Sequence, residues 1–169
     1  LHTRSGSLPF AYLLIQNNMA SYRLNIATAT HKGDREYQQD RVEVLRHPYD
    51  NQCLMVVLAD GMGGRSGGAK ASEQVISSAR EMMHQFTVGK DDPAALMRQL
   101  VSDAHSIIRM IKVSSEHEPH TTIAAHLRLP SGASHWIHSG DSRIYHFHSG
   151  RLMARTRDHS FVQTLIDQG

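Results

Sequence analysis

The run Cys53-Leu54-Met55-Val56-Val57-Leu58-Ala59 breaks off abruptly into Asp60-Gly61-Met62-Gly63-Gly64. Seven apolar residues with this much β-branching read as a short strand buried on both faces. Before it, alternation through Tyr22, Leu24 and Ile26 predicts a strand over 22–30, and His31-Lys32-Gly33-Asp34 supplies turn chemistry. A second alternating strand spans 41–46, and Pro48-Tyr49-Asp50-Asn51 turns the chain into the apolar run. After it, Ala69, Val75, Ile76, Ala79, Met82, Met83 and Phe86 recur at intervals of three and four, with Gly89 just past the end, which predicts a helix. A second helix starts at Pro93 behind an Asp92 cap and carries Met97, Leu100, Val101, Ala104, Ile107, Ile108 and Ile111 on one face. Strand signals return over 121–129, 134–138 and 143–148, and Ser149-Gly150 turns the chain into 151–154. Asp158-His159-Ser160 opens a last helix containing Phe161, Val162, Leu165 and Ile166. Strands, two long helices and a strand meander arrive in segregated blocks, which points to an α+β fold with helices packed on antiparallel sheets.

The 169 residues are the length of one domain, long enough to bury a core without disulfide staples. Lys plus Arg number 18 and Asp plus Glu 16, a net charge of +2 that gives no electrostatic footprint for nucleic acid. No apolar run reaches the ~18–20 residues of a membrane helix. The single cysteine, Cys53, cannot form an internal disulfide and fits a reducing, cytoplasmic setting. Thirteen histidines are scattered without the repeated close spacing of a zinc finger. The nearest to a cluster, His135, His138, His146 and His148, read as strand-surface residues rather than ligands. Residues 1–18 stand apart: Arg4 precedes an apolar stretch over 8–15, no small-residue cleavage site follows, and Met19 opens an ordinary-looking start. They are read as a leader or vector-like segment, with 19–169 as the domain.

Chemistry is expected where the buried strand ends. A strand that delivers Asp60 at its mouth, followed by glycines that permit close backbone approach, exposes peptide carbonyls beside a carboxylate. Carboxylate, carbonyl and water form the ligand set that a hard cation such as Mg²⁺ or Mn²⁺ prefers. No Gly-Lys-Ser/Thr follows, so the turn is not a P-loop, and the glycine spacing is not that of a dinucleotide fingerprint. Asp40 at the start of a strand, Asp141 after the Trp136-Ile137 strand, and Asp158 before the last helix are further candidate carboxylates. Arg35 lies near Asp40 in sequence and offers a planar fork for phosphate. Singly, each acid is an ordinary turn or cap residue; together they suit two metal ions that clamp a phosphoryl group.

The run Gly33-Asp34-Arg35-Glu36-Tyr37-Gln38-Gln39-Asp40 resembles the opening motif of metal-dependent type 2C Ser/Thr protein phosphatases of bacterial type. Leu58-Ala59-Asp60-Gly61-Met62-Gly63-Gly64 is similar to that family's central metal motif, and Gly67 with Ala71-Ser72 to the helix after it. Thr121-Thr122, Gly140-Asp141-Ser142-Arg143-Ile144-Tyr145, Gly150-Arg151-Leu152 and Thr156-Arg157-Asp158-His159-Ser160 follow the family's order and spacing. The resemblance runs from about Leu24 to Gly169. It implies a four-layer αββα sandwich, two antiparallel sheets flanked by helices, with the C-terminal strands missing from this chain.

The resemblance also implies the roles. Asp60 would bridge two Mn²⁺ or Mg²⁺ ions, with the Gly61 carbonyl on the second. Asp40 would hold metal-bound water, Asp141 would contribute to a third ion, and Arg35 would grip the substrate phosphate. A metal-bound hydroxide would hydrolyse phosphoserine or phosphothreonine on phosphorylated proteins, substrates of a Ser/Thr kinase in a signalling pathway. Departures from the pattern are Gln38 for Asn, Gln39 where some members carry Glu, His120 for Gly, and Met62 where animal relatives carry a His proposed as general acid. The later Ser-Asp-Gly and Asp-Asn motifs, with two further metal-ligating aspartates, do not occur before Gly169. Two alternatives therefore stand beside an active enzyme: a truncated pseudophosphatase that binds phosphoproteins, and a His-rich metal-binding domain. Unpaired sheet edges in such a chain would favour self-association.

Overall fold

The computed structural model of the chain describes residues 24–113 and 118–169. The expected leader, 1–18, and Tyr22 of the first expected strand lie outside them. The elements in order are β1 (Arg41–His47), β2 (Asp50–Ala59), β3 (Gly61–Met62), α1 (Gly64–Gln85), α2 (Pro93–Val113), β4 (His120–Thr121), β5 (Ile123–Arg128), β6 (Ser134–Ser139), β7 (Tyr145–His148), β8 (Arg151–Arg155) and α3 (Phe161–Gln168).

Four strands form one antiparallel sheet in the order β1-β2-β5-β6. Period-two alternation divides it into two faces. Leu45, Cys53, Met55, Val57, Ala59, Ile123, Ala125 and Leu127 face the two helices and share a core with Val75, Ile76, Ala79 and Met83 of α1 and Met97, Leu100 and Ala104 of α2. Each fully buried side chain of this size contributes about 1.5–3 kcal/mol, so this single sheet–helix interface holds the fold. The Asp92 carboxylate accepts the Ala94 N–H at 2.9 Å, the capping expected of it. His47 is buried where α1 ends: its Nε2 lies 2.7 Å from the Phe86 carbonyl, and its Nδ1 accepts the Tyr49 N–H at 3.2 Å. That ring ties the β1–β2 turn to the helix, a contact no local pattern announces.

The other face of the sheet is more open. Leu54 is buried, Val56 half-buried and Leu58 39% exposed, so β2 is closed on both faces only in its first half. The seven-residue run therefore overstated the burial, because helices cover one side only. Residues 24–30 are irregular and exposed, not a strand. Their alternation is present, but no described strand lies beside them to complete a ladder. The strand expected over 121–129 is broken at Thr122, and the one expected from 143 starts at Tyr145. Arg143 and Ile144 are drawn off instead by Asp158 and Thr156, the Ile144 N–H donating to Thr156 Oγ1 at 2.9 Å.

β7 and β8 pair as a separate two-stranded ribbon, and Ser160 caps α3 by accepting the Gln163 N–H at 3.1 Å. None of the residues of β7, β8 or α3 is buried. Antiparallel sheets with helices grouped against one of them make an α+β fold. Among the described residues no helix is long and apolar enough to cross a membrane.

Candidate active site

Antiparallel pairing brings the end of β2, the start of β1, the start of β5 and the end of β6 to one end of the sheet. Asp60, Asp40 and Thr122 sit immediately beyond three of those strand ends, and Asp141 two residues beyond the fourth. Residues from four separate stretches of the sequence thus meet for a topological reason.

Asp60 and Thr122 face one another between the β2–β5 and β3–β4 pairings. One ladder bond survives there, from the Thr122 N–H to the Asp60 carbonyl at 2.9 Å. The other is replaced by side-chain chemistry. The Asp60 N–H donates to Thr122 Oγ1 at 3.1 Å, and Thr121 Oγ1 donates to the Asp60 carbonyl at 3.0 Å. Two adjacent threonines therefore satisfy the Asp60 backbone where the ladder is interrupted, which leaves its carboxylate at the mouth. Thr122 Oγ1 also lies 2.6 Å from Ser142 Oγ, tying the Asp141 loop to the same point. Gly140 at φ +103° lies so close to Thr122 that a Cβ would collide with its methyl group. The Gly140 carbonyl accepts the His159 N–H at 2.9 Å.

Gly61 and Gly68 make the corresponding close approach on the helix side. A Cβ on Gly61 would overlap the Gly68 carbonyl, and one on Gly68 would overlap the Gln39 side chain and the Gly61 backbone. α1 is thereby seated directly against the turn. Ser72 of α1 donates to the Gln39 carbonyl at 2.5 Å. Arg41 bridges from the Asp40 carbonyl, at 3.0 Å, to the Glu73 carboxylate, also at 3.0 Å. The segment leading into Asp40 is thus fastened to the same helix. Sequence reasoning missed Arg41 and Glu73; both look like ordinary surface charges until helix and strand are superposed.

Asp60 stands above its ordinary carboxylate pKa. Burial is the main cause, followed by the neighbouring Asp40 carboxyl and then Asp141, while Arg35 pulls the other way. Asp40, Asp141 and Arg35, singled out from sequence, are therefore each close enough to act electrostatically on Asp60. Asp158 does not join them: it receives a bidentate ion pair from Arg143, at 2.6 and 2.8 Å, which holds its pKa down. An open cleft of about 610 Å³ runs along Asp60, Gly61 and Met62 on one wall and Arg35, Gln38, Gln39 and Asp40 on the other, with His31 and Lys32 at its lip. The Arg35 guanidinium forms no ion pair with a described carboxylate and is available to an anion.

The donors suit a hard divalent cation. They are oxygen only, and a partly desolvated carboxylate raised further by like charges is the group a cation would return to its ionised form. Among the described residues no three His, Cys, Asp or Glu side chains converge as a complete metal-binding set. Backbone carbonyl and water would have to complete the shell, as Mg²⁺ and Mn²⁺ sites allow. His135, His138, His146 and His148 make no such set either. His138 stacks on His159 with centroids 4.4 Å apart, and its Nε2 lies 2.7 Å from the Arg157 carbonyl.

The family model for protein phosphatase 2C matches residues 28–163. The chain belongs to the protein phosphatase 2C family. Over 115 residues it is 31% identical to the serine/threonine protein phosphatase PstP of Mycobacterium tuberculosis, a match covering 68% of this chain and 22% of that protein. The crystal structure of M. tuberculosis PstP/Ppp superposes with a TM-score of 0.65 at 30% identity, covering 80% of this chain and 54% of that one. The catalytic domain of PstP, crystallised in complex with two manganese ions, gives a TM-score of 0.60 at 30% identity, covering 77% and 59%. The chain thus spans about a fifth of the length of curated PstP and just over half of each crystallised chain. The 2C-type fold accounts for the order of the sheet, the helix pair and the acidic strand ends.

Proposed function

We propose that this chain carries the phosphate- and metal-binding half of a phosphoserine/phosphothreonine protein phosphatase that requires Mn²⁺ or Mg²⁺. The observation that carries the reading is the meeting of Asp40, Asp60 and Arg35 in one cleft, with Asp60 raised by burial, by Asp40 and by the charge of nearby Asp141. In this reading Asp60, the Gly61 carbonyl and Asp40 would hold the cations, and Asp141 would contribute to a further one. Bound there, the cations supply Lewis-acid activation of water and neutralise charge on the phosphoryl group.

The remaining work falls to the chain itself. Arg35 offers two parallel N–H donors to phosphate oxygens, a contact that positions phosphorus at the open end of the Asp60 turn. The Thr121-Thr122 hydroxyls keep the Asp60 backbone from shifting as charge at its carboxylate changes. The cleft is partly open to solvent, which admits a phosphorylated segment of another protein. The substrates would be phosphoproteins made by a Ser/Thr kinase, in a signalling role and in the cytoplasm of a bacterial cell. Among the described residues no strand pairs with the outer edge of β1 or of β6, which supports a tendency to self-associate.

Hydrolysis of a phosphothreonine peptide by the full chain, with and without Mn²⁺, tests the reading. Mn²⁺-dependent release of phosphate that disappears in Asp60→Asn is expected. Metal-independent release, or release unchanged in Asp60→Asn, would overturn it. Arg35→Ala is expected to weaken phosphate binding while leaving Mn²⁺ binding nearly intact, and Arg35→Lys to restore only part of it.

A further inference from the structure

Thr121 and Thr122, which hold the Asp60 backbone, also form one wall of a second cavity of about 460 Å³ between the C-terminal half of α2 and the start of β5. It shares no lining residue with the Arg35–Asp60 cleft. Val75, Ala104, Ile108 and Ile123 make its surface largely apolar, and its volume falls in the range of small-molecule sites. The charged groups at the rim are not equivalent. Lys112 is neutralised by Glu118, whose carboxylate also meets His120 Nε2 at 3.3 Å. Arg109, one turn earlier on α2, makes no ion pair with a described carboxylate, and no acidic residue among the described ones lines the cavity. An apolar chamber with one uncompensated guanidinium at its mouth is complementary to a molecule with an apolar body and an anionic head.

We propose that this cavity binds an amphipathic organic anion, its chain against Ala104, Ile108 and Ile123 and its carboxylate or phosphate head on Arg109. A neutral molecule of the same shape would forgo the charge-assisted contact with the exposed guanidinium, and a cationic one would be repelled by it. Charge-assisted, bidentate geometry makes Arg109 the main source of selectivity. The proposal does not depend on the phosphatase reading, because neither Asp60 nor Arg35 touches the cavity.

Calorimetric titration of the full chain, without metal, tests this with decanoate, decyl phosphate, decanol and decylammonium, each below its micelle concentration. Saturable binding of at least one of the two anions is expected, about tenfold tighter than decanol and with no binding of decylammonium. The relative affinities of decanoate and decyl phosphate then distinguish a carboxylate from a phosphate head. Arg109→Gln, a substitution at an exposed helix position, is expected to weaken the anion about tenfold while the thermal melt stays unchanged. Amide shifts from nuclear magnetic resonance should centre on Ala104, Ile108, Thr121 and Ile123. Equal affinity for anion and alcohol, unchanged affinity in Arg109→Gln, shifts centred elsewhere, or no binding of either anion would each overturn the proposal.

Discussion

Thr122 shows how one hydroxyl sets the position of a carboxylate it does not touch. Its Oγ1 accepts the Asp60 N–H and contacts Ser142, so two loops depend on it. Thr122→Val keeps the shape and deletes the partner, leaving a backbone N–H unsatisfied, which costs about 1–3 kcal/mol. Thr121→Val should cost less, because the Asp60 carbonyl keeps the Thr122 N–H. Urea unfolding of both variants checks the order; equal losses would contradict it. His126 gives a pH signature at the same scale. Burial lowers its pKa from 6.5, assisted by Arg128 on its own strand, His135 on β6 and His146 on β7. Because the folded value is depressed, its effect is absent above about pH 6.5 and stability falls as pH drops below that. Thermal melts between pH 7.5 and 5 should show that loss, and His126→Gln should make it shallower. Much of the candidate site was legible at this scale, since Asp40, Asp60, Asp141 and Arg35 each stand at a turn or near a strand end. Asp158 was not, because its pairing with Arg143 depends on a loop closure that sequence spacing does not reveal.

Among the elements, the tightest junction is between the Asp60 turn and α1. Replacing an exposed mid-helix glycine by alanine usually stabilises a helix by up to about 1 kcal/mol. At Gly68 the sign should invert, because the new Cβ would overlap Gln39 and the Gly61 backbone. Gly68→Ala should lower the melting temperature and also weaken Mn²⁺ binding, whereas a stabilised variant would show that the close approach carries no constraint. Asp92→Ala, which loses a cap and an exposed ion pair with Arg98 at the far end of the helix pair, should cost about 1 kcal/mol without changing Mn²⁺ binding. Both long helices and β2 could be read from periodicity because each buries a face against the same core. Residues 24–30 could not, since alternation states which side chains share a face but not whether a neighbouring strand exists. The break at Thr122 was hidden for a related reason: a ladder bond exchanged for a hydroxyl leaves the residue pattern unchanged.

At the scale of the whole molecule, the covered and uncovered surfaces differ sharply. One sheet face is sealed by two helices, while Phe147, Leu152, Met153, Phe161, Val162, Leu165 and Ile166 of β7, β8 and α3 are all at least half exposed. Apolar surface of that extent seeks cover. Sedimentation of the 169-residue chain should therefore show concentration-dependent association, and a strictly monomeric chain across the accessible range would contradict this. The central claim concerns the end of the sheet where the acids meet. If Asp40, Asp60 and Asp141 form a cation site, they repel one another without metal, and removing one charge should relieve that repulsion while destroying the site. Calorimetric titration of Mn²⁺ into the chain and into Asp60→Asn, each paired with a metal-free melt, measures both effects. The expected result is weak but saturable binding by the unsubstituted chain, at least tenfold loss in Asp60→Asn, and a higher metal-free melting temperature for the variant. Equal Mn²⁺ binding by the two proteins would contradict the assignment of Asp60 as the bridging ligand.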